Sequence, residues 1–298
     1  MPTMKTQLST LFLSALILGS LMQCGNLPSE QKTESAQLKD TGKYYTYPWL
    51  SRYEPERKMI NQIPLPAGYT RAALQEKTFS HWLLQLPLST DEEVHLYNGN
   101  LKYNQNAQFV VLDIDVGNTD LQQCADACMR LRAEYLYSIK AYSKISFNFT
   151  SGFKAEYKRW ADGERISIEG NNCKWVKKAQ PDYSYATFRK YMDLVFTYAG
   201  TQSLSQELIS VPADSIKAGD LFIKGGFPGH AVMIMDVARN TKGEKMFILA
   251  QSYMPAQQIH ILKNPAEEDS PWYTLPNEGE LLETPEWSFE RGQVKRWK

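Results

Sequence analysis

Two apolar runs that meet at a glycine-rich turn constrain this chain more than any other stretch of it. Ala218-Gly219-Asp220-Leu221-Phe222-Ile223 is followed by Gly225-Gly226-Phe227-Pro228-Gly229-His230, and then by Ala231-Val232-Met233-Ile234. Short apolar runs bounded by glycine and proline read as strands. The turn sets His230 at the first position of the second strand, beside flexible and reachable backbone. An imidazole held there can take and return a proton near neutral pH, the work of a general base in a hydrolase cleft. The alternative is a histidine bonded to the backbone of its own turn. His81 falls on an amphipathic helix, while His95 and His260 alternate within strands, so these three read as structural.

The neighbouring pattern places that turn in a fold. Strand signals cover 94–97, turned by Asn98-Gly99, and 109–116, then 220–223, 230–237, 245–250 and 259–262. Thr78 or Ser80 caps a short helix over 81–86, stopped by Pro87. Asn118, Thr119 and Asp120 supply caps for a helix from 121 to about 140, and 187–199 forms another, ended by Gly200. Residues 141–186 are expected to be irregular and aromatic, with Phe147, Phe149, Phe153, Tyr157 and Trp160. Helices followed by an antiparallel meander make an α+β fold. Apolar residues recur from Tyr44 to Trp297 with no repeat and no second linker, so 44–298 is expected to be one domain.

The 33 basic and 33 acidic side chains cancel, which leaves no field to attract nucleic acid. Lys5, the apolar run 11–18 and then Leu21-Met22-Gln23-Cys24-Gly25 read as a signal peptide over 1–23, too short to span a membrane. The run ends like a bacterial lipobox with Cys24 as the lipidated residue. Gln23 replaces the usual small residue, so simple secretion stays open beside lipidation. Residues 24–43 are polar and read as a flexible tether. The expected location is the cell envelope, as an exported outer-membrane lipoprotein facing the periplasm or the surface.

Cys124, Cys128 and Cys173 remain after Cys24. A thiolate is favoured near a helix N-terminus and beside an imidazole, and Cys124 falls in the first turn of its helix. The free amides there can also hold an oxyanion. The competing reading makes Cys124 and Cys128 small core residues. A base needs a partner to orient it. In an antiparallel hairpin turning at 241–243, Gln251 returns beside His230, although one residue of slip would reverse its side chain. Asp236 is second choice as partner, and Asp220 reads as structural. No cysteine or histidine spacing suits a metal, and no cofactor motif is present.

Two resemblances follow from these residues. Gly219-Asp220-Leu221-Phe222, Gly229-His230 opening a strand, and a cysteine at a helix start resemble NlpC-type cysteine peptidases. That resemblance implies a papain-like fold, cleavage of amide bonds in cell-wall peptides, and Cys124, His230 and Gln251 as the catalytic trio. The long separation of Cys124 from His230 makes 141–186 an insertion, and Gln123-Cys124-Ala125-Asp126 replaces that family's usual Asp-Cys-Ser-Gly. Leu112-Asp113-Ile114-Asp115-Val116-Gly117, Leu121-Gln122-Gln123-Cys124-Ala125-Asp126-Ala127 and Ala250-Gln251-Ser252-Tyr253-Met254-Pro255 resemble a secreted bacterial family, domain of unknown function 4846.

The expected architecture is thus a papain-like, NlpC-type α+β core, its cysteine-bearing helix packed on an antiparallel sheet. Gln123, Arg132, Trp160 and Tyr253 are the expected substrate contacts, with Arg132 pairing a carboxylate. The Gln122 or Gln123 side chain would assist at the oxyanion. Expected partners are a cell-wall peptide or glycan and, through Cys24, a membrane; the protein is expected to be a monomer. An inactive glycan- or peptide-binding lipoprotein on the same fold is the alternative function, and a purely structural envelope lipoprotein a third.

Overall fold

A computed structural model describes residues 45, 47–50, 57–267 and 269–298, which belong to the unit Leu38–Lys298. The expected signal peptide, the tether and Cys24 lie outside the described residues. β1 (Tyr69–Arg71) precedes α1 (Phe79–Leu84), where Thr78 Oγ1 accepts the His81 N–H at 3.3 Å as the cap. β2 (Gln108–Val111) leads to α2 (Cys124–Ser138). α2 starts three residues later than the sequence suggests. The Asp126 carboxylate accepts the Gln123 N–H at 3.1 Å and closes the first turn at that point.

The aromatic segment is more regular than its sequence implies. β3 (Ser146–Asn148) pairs with β4 (Lys154–Glu156), α3 (Tyr157–Ala161) follows, and β5 (Glu164–Glu169) pairs with β6 (Asn172–Lys177). Apolar residues are few and separated in these short strands, so no apolar run marks them. Packing of Phe147, Phe149 and Tyr157 into the core makes up for weak local propensity. By contrast, the expected strand 94–97 is reduced to single bridges, His95 to Leu101 and Leu96 to Gln257. Its Tyr97 N–H is taken by the distant Ala256 carbonyl at 2.9 Å.

α4 (Tyr185–Tyr198) and α5 (Thr201–Glu207) are followed by β7 (Ile209–Ser210), β8 (Leu221–Lys224), β9 (His230–Asn240), β10 (Lys245–Gln251) and β11 (His260–Leu262). The chain ends in β12 (Trp272–Thr274), β13 (Leu281–Glu283), β14 (Ser288–Glu290) and β15 (Val294–Arg296). One antiparallel sheet runs β2-β11-β10-β9-β8-β15-β7, with β1 also on β9 and β12 also on β10. The fold is α+β, as its pattern implies.

β9 is apolar on both faces because both are covered. Ala231, Met233 and Met235 join the cluster shared with α2 and α4, while Val232 and Ile234 join Phe247, Leu249 and Phe289 on the other side. The alternation then skips a beat. Ile248 pairs with Asp236 but Leu249 pairs with Ile234, so Met235 is an extra residue in β9, a β-bulge. Asp220, expected to be structural, is buried and held by Arg296 at 2.7 and 2.8 Å.

Candidate active site

The bulge decides which side chains meet. Without it, the register before Met235 would continue to set Gln251 opposite Met233, on the face away from His230. With it, Gln251 continues the series Phe247, Leu249 and shares the face of His230, Val232 and Ile234. The result is a contact of 2.9 Å between Gln251 Oε1 and His230 Nε2. A carboxamide oxygen only accepts, so Nε2 carries the proton and Nδ1 keeps its lone pair. The skipped beat takes Asp236 out of the His230 series. It binds Arg71 at 2.6 Å instead and does not orient the histidine.

His230 is 1% exposed rather than openly reachable, because three rings enclose it. Tyr253, Trp287 and Phe289 lie at centroid distances of 4.9, 5.3 and 5.9 Å. That burial lowers its pKa from 6.5 to about 4, opposed by the bond to Gln251. Gly229 lets the turn close over it. A Cβ there would lie 2.4 Å from the Gly226 carbonyl oxygen and 2.7 Å from that of Lys224.

Cys124 is the first residue of α2 and is half-buried. The backbone amides of Ala231, Ala125 and Cys124 itself favour its thiolate, and the first of these belongs to the residue after His230. Sequence reasoning expects a thiol lowered by the helix dipole. The opposite holds: burial first, then the charge of Asp126, pushes it up to about 11. Asp126 is itself buried, with its carboxyl raised well above the usual range and Oδ1 unpartnered, so the burial effect dominates at neutral pH. Cys128, one turn on, is buried in the core, and burial holds its thiol well above its usual value.

Cys124 and His230 line one cleft of about 490 Å³ with Gln123, Tyr253, Trp287 and Phe227. No hydrogen bond joins the thiol to the ring among the described residues, and Nδ1 has no protein partner. Phe227 at the rim is fully exposed and Met254 is 60% exposed. The arrangement places a thiol and an imidazole with a free lone pair on the wall of one cleft.

The chain matches the family model described as "Domain of unknown function (4846)" over residues 59–296, which includes every residue of this cleft. The chain belongs to this family. No curated protein and no solved structure matches it. Within the family domain, no helix among the described residues is long and apolar enough to cross a membrane.

The other expected contacts of the domain divide. Tyr253 and Gln123 line the cleft, but Gln123 Nε2 donates to Asp120 Oδ1 at 3.2 Å rather than into open space. Gln122 is buried, its Oε1 accepting from Arg130 at 2.9 Å, and does not line the cleft. Arg132 points elsewhere, over Phe79, Tyr135 and Trp297, into a separate pocket of about 370 Å³. Trp160 is a core residue, bonded through Nε1 to the Thr187 carbonyl at 3.2 Å and covered by Arg165. Its pairing with α4 is a tertiary feature that an aromatic-rich segment does not announce.

Sequence reasoning passed over Phe227, Asp126, Glu286 and Trp287. Phe227 had a signal, since it lies in the turn before His230. Glu286 and Trp287 had none, because the β13–β14 hairpin that carries them reaches the site only in the folded chain.

Proposed function

We propose that the protein is an exported envelope lipoprotein with a papain-like, NlpC-type cysteine hydrolase site for amide bonds of cell-wall peptides. One observation carries the reading: His230, its Nε2–H held by Gln251, lines the same cleft as Cys124 at the head of a helix. Export and anchoring rest on the lipobox-like run ending at Cys24.

Thiol and imidazole are both neutral at rest, so proton transfer accompanies attack. Cys124 Sγ bonds to the carbonyl carbon while its proton passes to His230 Nδ1. The amides of Cys124 and Ala125 at the start of α2 hold the oxyanion. The imidazolium protonates the leaving amine, which departs as the C–N bond breaks. Water, deprotonated by the same ring, then cleaves the thioester and restores the thiol. The net reaction consumes one water and yields an acid and an amine.

A second reading, an inactive glycan- or peptide-binding protein on the same fold, is favoured by the thiol raised to about 11. Incubation with purified cell wall separates the two. The hydrolase reading expects released peptides with new termini, absent with Cys124→Ala. Retention of the wild-type protein on cell wall with no release would establish the binding reading, and neither release nor retention would overturn both.

A further inference from the structure

The orientation of the Gln251 amide is itself held in place, by residues from two distant parts of the chain. Gln251 Nε2 donates to Glu286 Oε2 at 2.6 Å, and the same oxygen accepts from Lys102 Nζ at 2.7 Å. On the nitrogen side of the amide lies a second acceptor. His260 gives its Nδ1–H to the Gln258 carbonyl at 2.9 Å, which leaves Nε2 as a lone pair 3.5 Å from Gln251 Nε2 and 3.4 Å from Lys102 Nζ. The amide therefore has two acceptors behind it and His230 in front.

A flip of the amide would set its oxygen against the Glu286 carboxylate and offer N–H to His230. His230 Nε2 would then accept and Nδ1 would carry the proton, leaving no base toward Cys124. Lys102 is 5% exposed and Glu286 14%, so the pair sits where ions are costly to place. Buried pairs of this kind are best attested as devices that select one arrangement.

We infer that Glu286, charge-paired with Lys102, is a positioning residue that locks the Gln251 amide and so selects the Nε2–H tautomer of His230. Its catalytic consequence rests on the cysteine hydrolase reading, whereas the tautomer lock itself does not. The groups facing His230 and its partner from all sides are Cys124, Tyr253, His260, Lys102 and Glu286.

Nitrogen-15 NMR of histidine-labelled protein tests this directly, with His230 assigned by loss of its signal in His230→Gln. The wild type is expected to show Nε2 protonated and Nδ1 bare. The Lys102→Met/Glu286→Leu double variant, which strands no charge, is expected to mix the tautomers. Alkylation of Cys124 by iodoacetamide at pH 7 should slow in proportion to the Nε2–H form lost, about twofold for an even mixture. Glu286→Gln, whose side-chain oxygen still accepts, should restore the single tautomer and the rate. If the double variant does not fold, Glu286→Ala, which opens the network to water, carries the same expectation. A folded double variant, or Glu286→Ala, with wild-type tautomer and rate would overturn the lock. A tautomer shift in a protein that releases no peptide would uphold the lock and sink the hydrolase instead.

Discussion

Gln251 reaches His230, at 2.9 Å, because Met235 adds one residue to β9 between the two strands' regular pairs. A bulge re-aims every side chain beyond it, so a single extra residue decides whether this polar pair exists. The pair then fixes which ring nitrogen carries the proton in a histidine that shares a cleft with Cys124.

Removing the partner should be costly. Gln251→Ala leaves a buried imidazole N–H and the Glu286 carboxylate each short of a partner, and is expected to destabilise the fold by about 1–3 kcal/mol. Urea unfolding followed by fluorescence measures it. A change below about 0.5 kcal/mol would mean that water replaces the amide without penalty.

The acid limb of stability should carry the signature of two buried neutral histidines. Burial lowers His230 from 6.5 to about 4 and His260 from 6.5 to about 3, with the Lys102 charge adding to the latter. Below pH 6.5 the unfolded chain takes up protons that the folded protein refuses, so stability falls with pH through this window and levels off below about 3. For His230 alone the loss is about 3 kcal/mol. The gap between unfolding midpoints at pH 7 and pH 4.5 should therefore narrow in His230→Gln while His260 keeps its share, and an unchanged pH dependence in that variant would refute the assignment.

Cys124 should react as a thiol that needs a base. With its pKa raised to about 11 by burial and Asp126, alkylation is expected to keep rising through pH 9 and 10. At pH 7 His230→Ala should be slower than the wild type, and the two should draw together near pH 11, where hydroxide does the work of the ring. A plateau near pH 8 would show a far more acidic thiol. Cys128, buried in the core, should stay unlabelled until the fold opens.

Gly229→Ala should disturb the site without touching its chemistry. The added methyl meets two backbone oxygens and Thr201 Oγ1, all closer than 2.8 Å. Overpacking of this kind costs about 1–3 kcal/mol. The shift falls on the residue before His230, so the tautomer signal of that ring should change along with the unfolding midpoint. A variant as stable as the wild type with an unchanged ring signal would mean the turn can move aside.

Much of the frame was legible in the chain alone. The β8–β9–β10–β11 meander and the helix carrying Cys124 follow from apolar runs, glycine turns and capping residues, all local features. The order Cys124, His230, Gln251 was legible too, since a strand that starts after Gly229 must present His230 at one end of the sheet. The hairpins within 141–186 were not, because strands of three to six residues with few apolar positions carry no clear period, and packing of α5 on β3 and α3 on β5 holds them.

Local sequence, then, determined the main helices, the antiparallel order of the central strands and the cysteine's place at a helix start. Only the tertiary structure decided that Gln251 rather than Asp236 partners His230, that Trp160 and Arg132 stand apart from the cleft, and that Glu286 and Lys102 stand behind Gln251. Register and enclosure are the reason. A strand pairing slips by whole residues and reverses faces when it does, and a side chain's pKa answers to whatever surrounds it. Neither the bulge at Met235 nor the burial that raises Cys124 and lowers His230 is a property of the residues beside them in sequence.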